Sequence, residues 1–234
     1  MGLMKRSASP LVVRVLLLMA AALLFNIEGR AGQDYEKARR GNIGSNVEPK
    51  GKLYGLAKQA GGKHAILRFH SDRGVVAADL REMERRSTDI IVGRTITNRA
   101  YLNDAGDEMH KILTIYVQNV FKGGIINGSG IEVKTLGGSW VYSDGTALSW
   151  YPADSIPLHD GASYVFFLNK EDEYYVPSIG VQSIFEIDFD TNTIMPNDLF
   201  NLDPVVVRYK NAPLMDFLKE IKGVIGEGKV GDTE

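Results

Sequence analysis

From Val75 to Arg86 the apolar side chains Val76, Leu80 and Met83 recur at helical spacing, and charged residues fill most of the positions between them, including Asp79, Glu82 and Arg86. The spacing predicts an amphipathic helix of about three turns. After Ser87-Thr88-Asp89 the pattern changes to the β-branched run Ile90 to Thr97, which enters as a buried strand and continues toward Tyr101. Asn103 to Asp107 is turn chemistry. Beyond it Leu113, Ile115 and Val117 alternate with Thr114, Tyr116 and Gln118, so the two strands are expected to form a hairpin. Ile131, Val133 and Thr135 alternate with Glu132 and Lys134 in a third strand, closed by Gly137-Gly138.

The sharpest local signal is Asp144-Gly145, which suits the two positive-φ positions of a type I′ turn. With Ser143 opposite Thr146, Val141 would face Leu148 and share the core side with Trp150, leaving Trp140 and Tyr142 on the other side. Further strands are expected at Ser163–Leu168, Tyr174–Val176, Ile184–Asp188 and Thr193–Met195, with a turn at Pro177 to Gly180. Leu214, Phe217, Leu218 and Ile221 fall on one face of a C-terminal helix, with Asn211 as its cap and Gly223 as its stop. About seven short strands between two helices predict a mainly β fold: an antiparallel barrel of about 5–7 strands with one helix before it and one C-terminal helix. The barrel domain with its helices is placed at 75–223. A polar stretch at 32–74 reads as a linker or loosely ordered arm, with a short strand at Ala65–Phe69, and 224–234 reads as a flexible tail.

One combination of these segments resembles known proteins. It joins the amphipathic helix, Ser87 to Arg94, the strand ending Asn119-Val120-Phe121-Lys122-Gly123, Gly137-Gly138, Pro157 to Gly161 and Tyr164 to Leu168. It resembles a group of exported bacterial proteins of unknown function, and its layout is similar to the netrin-like module of tissue inhibitors of metalloproteinases. The resemblance implies an OB-like barrel. It does not imply protease inhibition, because the animal inhibitors act through an N-terminal cysteine and this chain has no cysteine.

The N-terminus changes the picture of where the protein works. Lys5 and Arg6 precede an apolar run from Leu11 to Phe25 broken only by Arg14, and Gly29 and Ala31 supply small side chains for a cleavage site. This is the layout of a secretory signal at 1–31, too short to stay as a membrane span, so export to the periplasm or the exterior of a bacterium is expected. A disulfide-free chain of this size fits a bacterial envelope better than a eukaryotic secretory route. Removing Lys5, Arg6, Arg14 and Arg30 from 27 cations leaves 23, and removing Glu28 from 29 anions leaves 28. The resulting net charge of −5 argues against nucleic-acid binding.

Candidate chemistry is sparse. His64, His70, His110 and His159 lie in no zinc-binding spacing, and there is no nucleophile elbow or phosphate-cradling glycine motif. Asp188, Asp190 and Asn192 echo the start of a calcium loop, but Thr193 stands at the glycine position and Leu199 at the glutamate position, so a plain turn is expected and no metal or other cofactor. Amphipathic rings at Trp140, Tyr142 and Tyr151 are the candidates for contact with a partner, either another envelope or extracellular protein or a glycan. The expected function is therefore a non-catalytic binding module. The alternative is a secreted hydrolase using His70 or His159 with nearby carboxylates.

Overall fold

The longest alternating stretch of the sequence becomes the longest pair of strands. In the computed structural model, which describes residues 49–61, 64–69, 76–153, 155–156, 158–197 and 203–228, the chain is mainly β. Its elements begin with α1 (Lys52–Gln59), β1 (His64–Phe69), α2 (Leu80–Arg85), β2 (Asp89–Leu102), β3 (Met109–Lys122), β4 (Gly130–Leu136), β5 (Gly138–Val141) and β6 (Ala147–Pro152). They continue with β7 (Ser163–Glu171), β8 (Tyr174–Val181), β9 (Ile184–Asp188), β10 (Thr193–Pro196), α3 (Pro204–Tyr209), β11 (Ala212–Pro213) and α4 (Leu214–Gly228).

Eight strands make one sheet in the order β11-β10-β9-β7-β2-β3-β4-β8. Strand β8 also pairs with β7, so β7, β2, β3, β4 and β8 follow one another in a ring of pairings. Every ladder of the ring is antiparallel except β4–β8, which is parallel and rests on the single pair Val133 and Tyr175. Strand β7 is the branch point. One edge meets β2, and the other meets β9 along Ser163–Phe166 and β8 along Leu168–Glu171.

The apolar runs of β2 and β7 are continuous because both faces of these strands are covered. Ile91, Tyr164, Phe166 and Leu168 turn to one side, with Leu113, Ile115, Val117 and Val133, into the interior of the ring. Ile90, Val92, Val165 and Phe167 turn to the other side, where Met83 of α2, Val205 and Tyr209 of α3, and Phe217 and Ile221 of α4 cover them. Lys122 ties α2 to the end of β3, with Nζ 2.7 Å from Glu84 Oε1 and donating to the Glu84 carbonyl at 2.8 Å.

A second, three-stranded sheet has the order β1-β6-β5. Its covered face packs on α1 and the tip of the β2–β3 hairpin, where Leu53, Ala57, Ala65, Met109, Tyr142 and Leu148 form a separate apolar cluster. Helix α1 sits so close to that tip that a Cβ on Gly51 would lie 2.6 Å from the Ala105 carbonyl oxygen, and Leu53 N–H donates to the Gly106 carbonyl at 2.9 Å.

Several expectations are corrected. The helix expected from Val75 starts only at Leu80, because Asp79 is extended and its side chain accepts the Glu82 N–H as an N-cap. The stretch read as a polar arm contains α1, with Leu53 and Ala57 buried, while the short strand expected there is β1. Strand β8 runs through Pro177 and Gly180 where a turn was expected. Asn211 does not cap α4. It takes a left-handed φ of 60°, and the two residues of β11 intervene before the helix. Gly223 does not stop α4, which continues to Gly228 with Ile225 packed on the core. A helical glycine costs only about 1 kcal/mol, less than that packing returns. The expected signal at 1–31, His70, Pro157 and Leu199 lie outside the described residues.

Candidate functional site

The Asp144-Gly145 hairpin departs from its expected register by one residue. A type I′ turn needs positive φ at both central residues, but only Gly145, at 82°, has it. The Asp144 carboxylate is held in place: Oδ1 accepts the Thr146 N–H at 2.9 Å, while Oδ2 accepts the Tyr54 hydroxyl at 2.9 Å and lies 2.9 Å from Lys58 Nζ. The Lys58 hydrogen bond, then the Thr146 amide, hold this carboxyl well below the usual carboxylate range. The loop therefore has three residues, Ser143 to Gly145, closed by Tyr142 N–H donating to the Thr146 carbonyl at 2.9 Å.

The consequence is that Trp140, not Val141, faces Leu148. Tyr142 is buried, 2% exposed, and its ring meets Tyr54 edge-on at 5.0 Å. Trp140 packs against the same cluster, and Trp140 Nε1 and the Tyr142 hydroxyl are buried without a hydrogen-bond partner. Val141 is 47% exposed instead. Trp140 and Tyr142 thus belong to the covered face. Trp150 does as well, stacked on Phe69 with ring centroids 3.9 Å apart.

Tyr151, the third aromatic candidate, lies on the other face of the sheet. The registers place His64, Ala147 and Val141 in one row across β1, β6 and β5, and Ile66, Ser149 and Ser139 in the next, with Arg68 beside Tyr151 beyond them. Side chains directly opposite in a ladder point to the same side, so these residues share one face, open at His64, Ile66, Ser139 and Val141 and closed over at Ser149, which is buried. A hydrogen-bond chain crosses it. His64 Nε2 is 3.2 Å from Ser149 Oγ, which is 2.8 Å from Ser139 Oγ, and Ser139 Oγ is 2.9 Å from the Tyr151 hydroxyl. Ile66, 67% exposed, and Val141 give the polar chain an apolar border. Sequence reasoning missed His64, Ser139 and Ser149 because they meet only through the parallel pairing of β1 with β6. No short motif announces that pairing.

The His64–Ser149 contact has the spacing of a base and a nucleophile. Among the described residues no carboxylate bonds His64 to orient it, as such a pair requires. His159 is exposed, and its backbone N–H donates to the Tyr164 hydroxyl at 2.9 Å. The neighbouring Asp160 accepts from Asn98 Nδ2 at 2.7 Å, and partial burial pushes its carboxyl above the ordinary range. Asp188 Oδ1 accepts the backbone N–H groups of Asp190 at 2.9 Å and Thr191 at 3.2 Å, so the loop suggested for calcium is a side-chain-stabilised turn with Asn192 at φ 55°. Among the described residues no group of three metal-ligating side chains converges.

No protein-family model matches the chain, and neither does any curated protein. What the structure itself defines is a mainly β protein whose three-stranded sheet presents an open, mixed polar and apolar face.

Proposed function

We propose that the chain is an exported, non-catalytic binding module built on an OB-like barrel, and that it engages an envelope protein or a glycan through the open face of the three-stranded sheet. The observation that carries the binding reading is that face. Exposed Ile66 and Val141 flank hydroxyl and imidazole groups already oriented by one another, which is the composition of a contact surface that joins apolar area to fixed hydrogen-bonding directions. The OB-like reading is supported by the strand order of the ring, with its one parallel seam, since a five-stranded, partly open Greek-key barrel is the OB architecture. The export reading rests on the signal-like pattern of 1–31.

Four measurements test it. N-terminal sequencing of the envelope fraction should find a chain beginning near Gly32, and recovery of Lys5 from that fraction would refute cleavage. A photo-crosslinker placed at Ile66 in cells, and a glycan array probed with purified protein, should each be compared with an Ile66→Asp, Tyr151→Ala variant. A defined adduct or glycan signal that disappears in the variant while the melting temperature holds is the expected outcome. Equal signals from both proteins would reject this face. Turnover of ester, peptide or glycoside substrates abolished by His64→Ala or His159→Ala would replace the binding reading with an enzymatic one.

A further inference from the structure

We propose that the hydroxyl chain on the open face is a directional relay, through which protonation of His64 sets whether the Tyr151 hydroxyl has a proton to give to a bound partner. The inference rests on the proposed role of that face and adds its regulation. A serine hydroxyl carries one proton, so a serine between two polar neighbours donates to one and accepts from the other. Ser149 Oγ stands between His64 Nε2 at 3.2 Å and Ser139 Oγ at 2.8 Å, and Ser139 Oγ stands between Ser149 and the Tyr151 hydroxyl at 2.9 Å. Reversing any one link therefore reverses the whole chain. Ser149 is 7% exposed, so the link beside the imidazole is shielded from competing water.

Two directions are open while His64 is neutral. With the ring proton on Nδ1, Nε2 accepts from Ser149 and the chain runs inward, so Tyr151 donates to Ser139 and turns only lone pairs outward. With the proton on Nε2 the chain runs outward, Ser139 donates to Tyr151, and the phenolic proton is free. An imidazolium carries a proton on both nitrogens, so protonation leaves the outward direction alone. Imidazole is the side chain suited to make that change between about pH 8 and pH 5. The charged and titratable groups around the ring come from three elements. Arg68 lies further along β1 with Nη1 donating to the Ser155 carbonyl at 3.2 Å, and Tyr151 lies on β6. Beneath the sheet α1 brings Lys52, Tyr54 and Lys58, the last 2.9 Å from Asp144 Oδ2. Coupling is reciprocal: a partner's carbonyl or carboxylate oxygen that takes the Tyr151 proton favours the protonated ring, and the protonated ring favours that partner.

The test is made on the free protein by NMR, following the Tyr151 Cζ resonance and the His64 ring nitrogens together from about pH 8 to about pH 5. The expected result is a Tyr151 shift that shares its midpoint with His64 and is lost in Ser139→Ala, where His64 still titrates but the chain is cut. A Tyr151 resonance indifferent to His64 overturns the relay. So does a shift that persists in Ser139→Ala, because it then reports charge acting through space. His64→Phe, which keeps the chain between Ser149 and Tyr151, should leave the Tyr151 resonance flat, and a shift that remains there also overturns the proposal, even if Ser139→Ala does not fold. None of these readings needs a partner. Failure of the relay leaves crosslinking at Ile66 to decide the binding reading, whereas absent crosslinks beside an intact relay would reject the face as a binding surface and with it the relay's use.

Discussion

At the scale of single residues, the hairpin offers a direct contrast. Tyr142 fills a core site while its hydroxyl goes unpaired, whereas Val141 beside it faces solvent. Tyr142→Ala should cost about 3–5 kcal/mol, as truncation of a buried aromatic does, and Val141→Ala should stay within about 0.5 kcal/mol. Tyr142→Phe removes an unsatisfied buried hydroxyl and should leave urea stability unchanged or raise it. Lys111 makes a prediction in pH. Its amine is near 8 in the folded chain and 10.5 unfolded, so between those values the unfolded state holds a proton that the folded state has released, and stability rises with pH. The gain across the window is on the order of 3 kcal/mol. Lys111→Met should abolish that rise and be the more stable protein at pH 7. Above pH 10 the sign reverses for Tyr164, pushed up to about 12 by burial, because only the unfolded chain then ionises. Urea melts at pH 7, 8, 9, 10 and 11 separate the two effects.

At the scale of elements, α2 is short and depends on its fastening. Lys122→Met leaves the Glu84 carboxylate of α2 buried without its cation and should cost about 1–3 kcal/mol, and adding Glu84→Leu should recover most of it in a double-mutant cycle. The strands were the legible elements. Period-two alternation at Leu113, Ile115 and Val117 and the continuous run Tyr164 to Leu168 determine local conformation with little help from elsewhere. Helix α3 was illegible for the opposite reason. Val205-Val206-Val207 reads as strand, and only Pro204 at the first helical position signals otherwise. The turn at Asp144 shows a third kind of failure: the dipeptide was right, but Lys58 and Tyr54, far off in sequence, fix the carboxylate and thereby the loop length. Of the candidate site, Tyr151 was visible as an aromatic, while its company on the open face was set by a pairing between residues 64–69 and 147–152.

At the scale of the whole molecule, β7 holds the ring and the extension β9-β10-β11 together, because both use its second edge. Amide hydrogen exchange should therefore be slowest in β2, β3 and β7, which are paired on both edges and buried. It should be fastest in β1 and in β11, which lie at sheet margins. Equal protection in β1 and β7 would contradict this ordering.

The parallel pairing of β1 with β6 also fixes an order of assembly. During synthesis β1 leaves the ribosome with the whole of β2 to β5 still to come before the strand it must join exists. Through that interval it is a bare strand carrying Ile66, and the first complementary edge it meets can belong to another nascent copy. A fragment ending at residue 137 makes the interval permanent, since it keeps β1 and the β2–β3 hairpin but lacks β5 and β6. Such a fragment should self-associate at micromolar concentration in light scattering, and Ile66→Lys should suppress it while leaving the intact chain monodisperse.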